Sequence, residues 1–470
     1  MVLSFCTLSF SSNNISRASL RFPLHSFQFM EQSEQSFFVI MEQSEQSFFV
    51  RLKLTALFFL QFAVWGAYLT SMGGYLAKVG MGTNIGWFYS VQGLVSIFMP
   101  TLMGIVADRF VPAQRLFGFC HLASAALMAI VGYVGLSSPD VSFATLFPIY
   151  SLAVAFYMPT LSLASSVSYT AMQAASIDKV SVFPKIRIWG TVGFIVSMLL
   201  VDYLGFQHAP QQFFVCSAWG LILGVYSFSL PNCPVSSASG SASIVQRMGL
   251  DAFKLFRSSR MFLFFLFSML LGVSLQITNG YANPFISSFG KIQEFADAFF
   301  VEHANLLISL SQVSETLCIL LIPFFLKRYG IKAVMHIAMF AWFFRFWLFN
   351  LGSPTWPGVL FFIGSMVVYG VAFDFFNISG SLFVDSEVEP SMRSSAQGLF
   401  VLMTNGLGAS IGTLAAQAVV NHFVSDSMSP AEQIDGWRMS WAIFAVYALV
   451  VAVSFALVFK GRKSNGCSSL

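Results

Sequence analysis

The chain has 470 residues, of which 56% are hydrophobic and only 9% are charged, and its mean hydropathy is +0.74. Soluble domains carry roughly 25% charged residues, so this composition excludes them and indicates a membrane protein with many spans. The formal net charge of +4 comes without a DNA-binding motif, so no nucleic-acid partner is expected. The six cysteines lack CxxC spacing and the six histidines are scattered, so neither a metal site nor any other cofactor is predicted.

The first fifty residues contain a tandem copy, because MEQSEQSFFV occurs at 30–39 and again at 41–50. Residues 1–29 are rich in serine, contain two arginines and lack acidic residues, which suits an organelle transit peptide. The alternative is an upstream extension or a duplication, with the working protein beginning near Met41. We favour the alternative and predict that residues 1–50 lie outside the fold.

Twelve mostly apolar stretches follow, each long enough to cross a bilayer core about 30 Å thick as a helix. They lack the short alternating pattern of barrel strands, so the predicted fold is an all-α membrane protein. The predicted spans are 52–77, 83–107, 115–136, 142–170, 184–205, 211–230, 261–285, 304–326, 332–351, 356–384, 394–421 and 437–459.

The basic residues predict the orientation of these spans. Of the 24 lysines and arginines, nineteen fall in the two termini and the even-numbered loops. The odd-numbered loops contain only Lys78, Lys291 and Arg438. By the positive-inside rule, both termini are therefore predicted to be cytoplasmic.

A linker rich in Ser, Gly and Pro, PNCPVSSASGSAS at 231–243, separates the sixth and seventh spans. It divides the chain into bundles at 51–230 and 261–460, followed by a tail at 461–470. Within 231–260, apolar residues from Val245 to Phe256 recur at helical spacing among basic residues. This pattern predicts a short amphipathic helix on the cytoplasmic membrane surface, with a solvated loop as the alternative.

The two bundles also repeat one another in sequence. GIVADRFVPAQR (104–115) closes the second span, and PFFLKRYGIKAV (323–334) closes the eighth about 219 residues later. A repeat of six plus six spans is typical of the major facilitator fold, in which two similar bundles enclose a central site. The segment GIVADRF resembles the loop signature of that superfamily. We assign its Asp108 and Arg109 to a structural or gating ion pair.

Four charged residues stand out inside predicted spans, namely Arg187, Glu315, Arg345 and Asp374. Insertion of a central Asp, Lys or Arg costs about 2.5 to 3.5 kcal/mol, so such residues usually face a cavity or a partner. Ion pairs among the two acids and two bases are the structural alternative to a functional role. That alternative is strongest for Arg345, whose neighbours WFFRFWLF are bulky and apolar.

Polar and aromatic residues share helix faces in four spans. The sets are Arg187, Thr191 and Phe194 in the fifth span, Gln276 and Asn279 in the seventh, Gln312 and Glu315 in the eighth, and Tyr369, Phe373 and the adjacent Asp374 in the tenth. Sugars need paired hydrogen bonds, and heterocyclic bases need amides plus a flat ring to stack on. A nucleoside has both parts. For any single amide, a hydrogen bond between helices is the alternative.

Long segments of the chain resemble the bacterial nucleoside:proton symporter family of the major facilitator superfamily over residues 51–460. The segments are FPKIRIWGTVGF (183–194), SMLLGVSLQITN (268–279), SLSQVSETL (309–317), YGVAFDFFNISGS (369–381) and SAQGLFVLMTNG (395–406). The resemblance implies alternating access, proton-driven uptake of purine and pyrimidine nucleosides across the inner membrane, and no enzymatic activity. It also implies that the ten residues just named line the central site. We expect the protein to act as a monomer.

Asp374 is our first choice for the proton-coupling group, because an apolar cavity favours the neutral carboxyl, and Glu315 is the competitor. We expect Arg187 and Glu315 to pair or to share the ribose hydroxyls. Two other functions stay open. One is symport of another hydroxyl-rich solute, such as an oligosaccharide, and the more distant one is a nutrient sensor that does not transport.

Overall fold

The computed structural model describes residues 46–138, 141–233, 250–389 and 392–459, and all regular structure within these ranges is helical. Eleven of the helices are long and apolar enough to cross a membrane. One of them, Ala304–Leu351, is interrupted at Gly330, where φ is +76° and ψ is 167°. Because this glycine separates two spans, the described residues contain the twelve predicted spans.

We label the spans α1 to α12 in chain order. The first six, the N half, are α1 (Gln46–Gly66 and Met72–Lys78), α2 (Ile85–Arg109), α3 (Ala113–Ser137), α4 (Phe143–Ala174), α5 (Lys179–Tyr203) and α6 (Gln211–Tyr226). The C half consists of α7 (Ser259–Leu275 and Ile277–Ser288), α8 (304–329), α9 (331–351), α10 (Val359–Glu387), α11 (Arg393–Val401, Leu402–Gly408 and Ala409–Phe423) and α12 (Pro430–Val458).

Short helices lie between the spans. They are the 3-10 helices Gly82–Asn84, Ser227–Ser229, Leu250–Arg257, Phe289–Lys291 and Gln293–Phe295, and the α-helix Phe299–Glu302. The described residues from Val50 onward form one compact unit.

Three predicted spans contain breaks that hydropathy does not predict. Turns interrupt α1 at 67–71, α7 is divided at Gln276, and the middle of α11 is a π-helix, Leu402–Gly408. The last span begins at Pro430 rather than at 437, because Ser429 and Glu432 form a reciprocal capping box that starts the helix there.

Two predictions fall partly outside the described residues. Residues 1–45 of the leader lie outside them, and residues 46–50 begin α1. The amphipathic helix predicted within 231–260 is described only from residue 250, where Leu250–Arg257 is a 3-10 helix rather than an α-helix. Its location on the membrane surface stays a prediction.

Glycine allows the N half to pack tightly near its centre. A side-chain carbon at Gly66 of α1 would clash with the main-chain oxygen of Phe194 in α5. The two backbones therefore meet directly at this point, so the residues next to Gly66 lie against the wall that α5 forms.

The bundle has two ends, which we name by their loops. The linker end is where residues 231–233 and 250–257 lie, and the far end is where α1 is joined to α2. Nine hydrogen bonds between described residues of the N and C halves lie at the far end or between it and the bundle centre. The halves are thus joined at the far end of the bundle.

Candidate functional site

A cavity of about 900 Å³ lies between the two halves. Nine of the ten predicted site residues line it, although they come from four helices and are up to 186 positions apart in the chain. They are Arg187, Thr191, Phe194, Gln276, Asn279, Gln312, Glu315, Tyr369 and Phe373. One cavity thus contains nine of the ten residues that helical spacing and the family resemblance together had indicated.

The C half contributes amides and parallel rings to the cavity. Asn279 donates a hydrogen bond to the Oε1 atom of Gln276 over 2.8 Å, so the two amides hold each other. The rings of Tyr369 and Phe373 stack with centres 5.6 Å apart and planes 5° apart. This wall therefore offers a flat aromatic surface beside groups that donate and accept hydrogen bonds.

Arg345 supports the aromatic pair from inside the C half. Its guanidinium lies 4.4 Å from the centre of the Tyr369 ring and donates to the main-chain oxygen of Ser365 over 2.8 Å and to Ser311 Oγ over 3.3 Å. The side chain is only 2% exposed. Within the described residues it forms no ion pair with an acid, so Arg345 positions Tyr369 instead.

The side chains of Asp108 and Arg109, also predicted to form an ion pair, lie outside the described part of the structure. Their helix, α2, includes both positions.

Arg187 lies in the wall that the N half contributes to the cavity. Its guanidinium lies 4.0 Å from the centre of the Phe62 ring and 5.9 Å from that of Phe58. Among the ion pairs of the described residues there is none between Arg187 and Glu315. In this conformation the arginine thus stacks on aromatic rings, and its hydrogen-bonding edge is left for a group in the cavity.

Asp374 is the one predicted site residue that does not line the cavity. It is 5% exposed and adjoins the cavity-lining Phe373, and its Oδ2 atom has no hydrogen-bond partner among the described residues. Next to it, a side-chain carbon at Gly370 would lie 2.5 Å from the main-chain oxygen of Ser314, so α10 packs directly on α8. The carboxyl group therefore lies at the α8–α10 contact, within electrostatic range of Glu315 and Arg187.

Other residues of the cavity wall were not predicted. Trp65 and Gln92 line it from the N half, Phe253 from the linker and Asn405 from the π-helix of α11. All four are uncharged, and only Gln92 has a polar residue of the cavity wall, Ser96, four positions away. A buried glutamine and a serine one turn apart in an apolar span were the signal that could have indicated Gln92.

Comparison with known proteins adds to this geometry. The sequence profile of the nucleoside H+ symporter family matches residues 48–464. The chain is 45% identical to the nucleoside permease NupG of Escherichia coli over 412 residues, which cover 87% of this chain and 96% of that protein. It is 43% identical to the xanthosine permease of the same organism over 411 residues, with the same two coverages.

The chain belongs to the nucleoside H+ symporter family. A crystal structure of the nucleoside transporter NupG superimposes with a TM-score of 0.80 at 44% identity, covering 88% of this chain and 100% of that one. The predicted fold and family are confirmed. The chain is a multi-pass transporter of the inner membrane that couples nucleoside uptake to protons, and it is not an enzyme.

Proposed function

We propose that purine and pyrimidine nucleosides bind in the central cavity, with the ribose between Arg187 and Glu315 and the base against the Tyr369–Phe373 pair. The observation that carries this proposal is the single cavity that nine predicted residues share. The amides of Gln276 and Asn279 can donate to and accept from ribose hydroxyls, and the parallel rings offer a stacking surface. Stacking of a base on an aromatic ring contributes about 1 to 3 kcal/mol in nucleic-acid proteins.

In this proposal, Asp374 carries the coupled proton. A buried carboxylate without a hydrogen-bond partner is unfavourable, whereas the neutral acid tolerates the same surroundings. Asp374 is adjacent to Phe373 and close enough to Glu315 and Arg187 for their charges to act on it. Substrate binding at those residues therefore changes the charge that Asp374 experiences. One proton moving through 100 mV supplies about 2.3 kcal/mol, roughly fiftyfold in nucleoside concentration.

The test is uptake of labelled uridine into proteoliposomes by Asp374→Asn. We expect uptake driven by a proton gradient to fall at least about tenfold, because the amide cannot release a proton, while uridine exchange at equal pH continues. The matched control is Asp385→Asn, the same change on the same helix at a half-exposed acid paired with Arg393. Normal driven uptake by Asp374→Asn would move the coupling role to Glu315.

The alternative substrate class is tested by competition. Nucleosides should displace labelled uridine, whereas oligosaccharides at the same concentration should not. Displacement by an oligosaccharide at least as strong as that by uridine would favour the other hydroxyl-rich solute.

We further propose that both termini are cytoplasmic and that the protein functions as a monomer. The distribution of basic residues supports the first statement. A fluorescent or phosphatase fusion at the C-terminus reports the side on which it lies, and the mass of the detergent complex reports the oligomeric state.

A further inference from the structure

Trp65 and Gln92 form a part of the cavity wall that the proposed function leaves unused. Trp65 directly precedes Gly66, at the point where α1 meets the backbone of Phe194. Its ring centre lies 6.2 Å from that of Phe62, the ring on which Arg187 stacks. The indole is therefore part of the same wall as the predicted N-half residues.

The amide of Gln92 is held in one orientation. The indole nitrogen of Trp65 donates to Gln92 Oε1 over 3.3 Å, and Gln92 Nε2 donates to the hydroxyl of Tyr150 over 2.9 Å. Because an indole N–H can only donate, the amide oxygen must face Trp65 and the nitrogen must point away from it. The amide is thus fixed by two neighbours rather than free to flip.

One hydrogen of this amide is left over. A glutamine amide nitrogen has two N–H donors, and Tyr150 takes one of them. Gln92 is 2% exposed, yet it belongs to the cavity lining. A nearly buried donor of fixed direction at the edge of a cavity is suited to an acceptor on a bound molecule, because an unmatched donor there is unfavourable.

We infer that Trp65 and Gln92 read the nucleobase: the base lies against the indole, and a ring carbonyl accepts a hydrogen bond from Gln92 Nε2. This inference rests on the proposed nucleoside function. With one face against the Tyr369–Phe373 pair, as proposed above, the base presents its other face and one edge to the N half. The edge carbonyls of uridine and of 6-oxopurine nucleosides are acceptors of the required kind. Gln92 is therefore a specificity-determining residue. Trp65 is both a stacking partner of the base and the group that orients the Gln92 amide.

The test compares uridine with its analogue that lacks the 4-oxo group, pyrimidin-2-one ribonucleoside, as competitors for labelled uridine uptake into proteoliposomes. The wild-type protein should bind uridine about 3- to 10-fold more tightly than the analogue, the effect of one neutral hydrogen bond. The variants Gln92→Met and Gln92→Ala should weaken the binding of uridine by that factor and leave the binding of the analogue unchanged. The ratio of the two affinities should then be close to one. The 6-oxopurine inosine and purine ribonucleoside form a second pair with the same expectation.

The matched control is Ser96→Ala, one turn further along α2 in the same cavity wall. The Ser96 hydroxyl donates to the main-chain oxygen of Gln92 over 2.7 Å, so it has no proton left for a ligand. Its substitution should retain the wild-type ratio. Trp65→Phe, which keeps a ring but releases the amide, should lower the ratio, and Trp65→Ala should weaken both competitors about fivefold or more.

The ratio is independent of how much protein folds, because both competitors are measured on one preparation. A wild-type ratio near one for both nucleoside pairs, or equal weakening of both competitors by Gln92→Met, would overturn the inference while leaving the proposed function standing. Absence of nucleoside uptake by the wild-type protein would instead overturn the proposed function itself.

Discussion

The two ends of the bundle differ in how the N and C halves meet. At the far end, Asp202 of α5 accepts a hydrogen bond from His303, just before α8, over 2.8 Å. Asn305 bridges Ser71 and Asn283, with separations of 2.7 and 3.1 Å. At the linker end, the cavity separates the halves, and its wall extends to Pro100 and Ser165 of the N half, Gln397 of the C half and Phe253 of the linker.

This difference describes a transporter that is closed at the far end and parted at the linker end. In the orientation proposed above, with both termini cytoplasmic, the cavity would face the cytoplasm. Most of the far-end contacts join neutral amides and hydroxyls, each contributing only about 0.5 to 1.5 kcal/mol net. Alternating access requires these contacts to break and reform in every cycle. Weak individual bonds and backbones in direct contact are compatible with that requirement, whereas a buried ion pair would be more costly to separate.

The largest effect is expected where the two backbones touch. A side-chain carbon at Gly73 of α1 would clash with the main-chain oxygen of Gly280 in α7, and backbone cannot move aside as a side chain can. Gly73→Leu should therefore prevent closure of the far end and lower the initial rate of uridine uptake more than about tenfold. Uridine binding by the purified variant should persist.

Gly104→Leu is the matched control for this change. Gly104 lies in α2, and a side-chain carbon there would meet nothing within 4 Å. Its uptake rate should stay within about twofold of wild type. A rate above half of wild type for Gly73→Leu would show that the far end does not need this close approach.

The second prediction concerns pH at the far end. His208, in the loop between α5 and α6, hydrogen-bonds Ser287 of the C half through Nε2 over 3.1 Å. Burial, and to a lesser extent the nearby Lys78, lowers the pKa of His208 to about 4 from its ordinary value of 6.5. The closed far end therefore favours neutral His208. Its stability is unaffected above pH 6.5 and decreases as the pH falls from 6.5 toward 4.

If opening exposes His208, a change from pH 7 to 5.5 shifts the equilibrium toward the open far end by about tenfold. Spin labels at Tyr203→Cys and Asp426→Cys, both exposed and in different halves, would report the separation. The pair Asp202–His303 also lies at this end, so the control is His208→Gln in the same labelled background. An unchanged pH response in that variant would remove His208 as the cause.

Features that depend on a single helix were predictable from the sequence. The sets around Arg187, Gln276, Gln312 and Tyr369 were recognised because residues three, four or seven apart share a face. The internal repeat then indicated that these faces enclose one site, and nine of the ten residues indeed line one cavity. Hydropathy likewise predicted the twelve spans.

What depends on contacts between helices was not predictable from spacing. The bond from Trp65 to Gln92 joins positions 27 apart on different helices, and neither residue carries a charge. Arg345 was expected to pair with an acid, yet a tyrosine ring and two serines surround it. The π-helix at Leu402–Gly408 is compatible with the same hydropathy as an uninterrupted α-helix. Each of these features is decided by which side chains the neighbouring helices present.

The smallest effect is expected at the linker end. Arg260 and Glu387 form an ion pair over 3.0 Å, with side chains 32% and 20% exposed. Both belong to the C half, so the pair moves with that half and neither holds nor releases the N half. Partly exposed ion pairs contribute about 0 to 1 kcal/mol. Glu387→Gln should therefore change the uridine uptake rate less than about twofold. A loss approaching that of Gly73→Leu would mean that transport is limited by contacts within one half, and the contrast between the two ends would no longer explain the cycle.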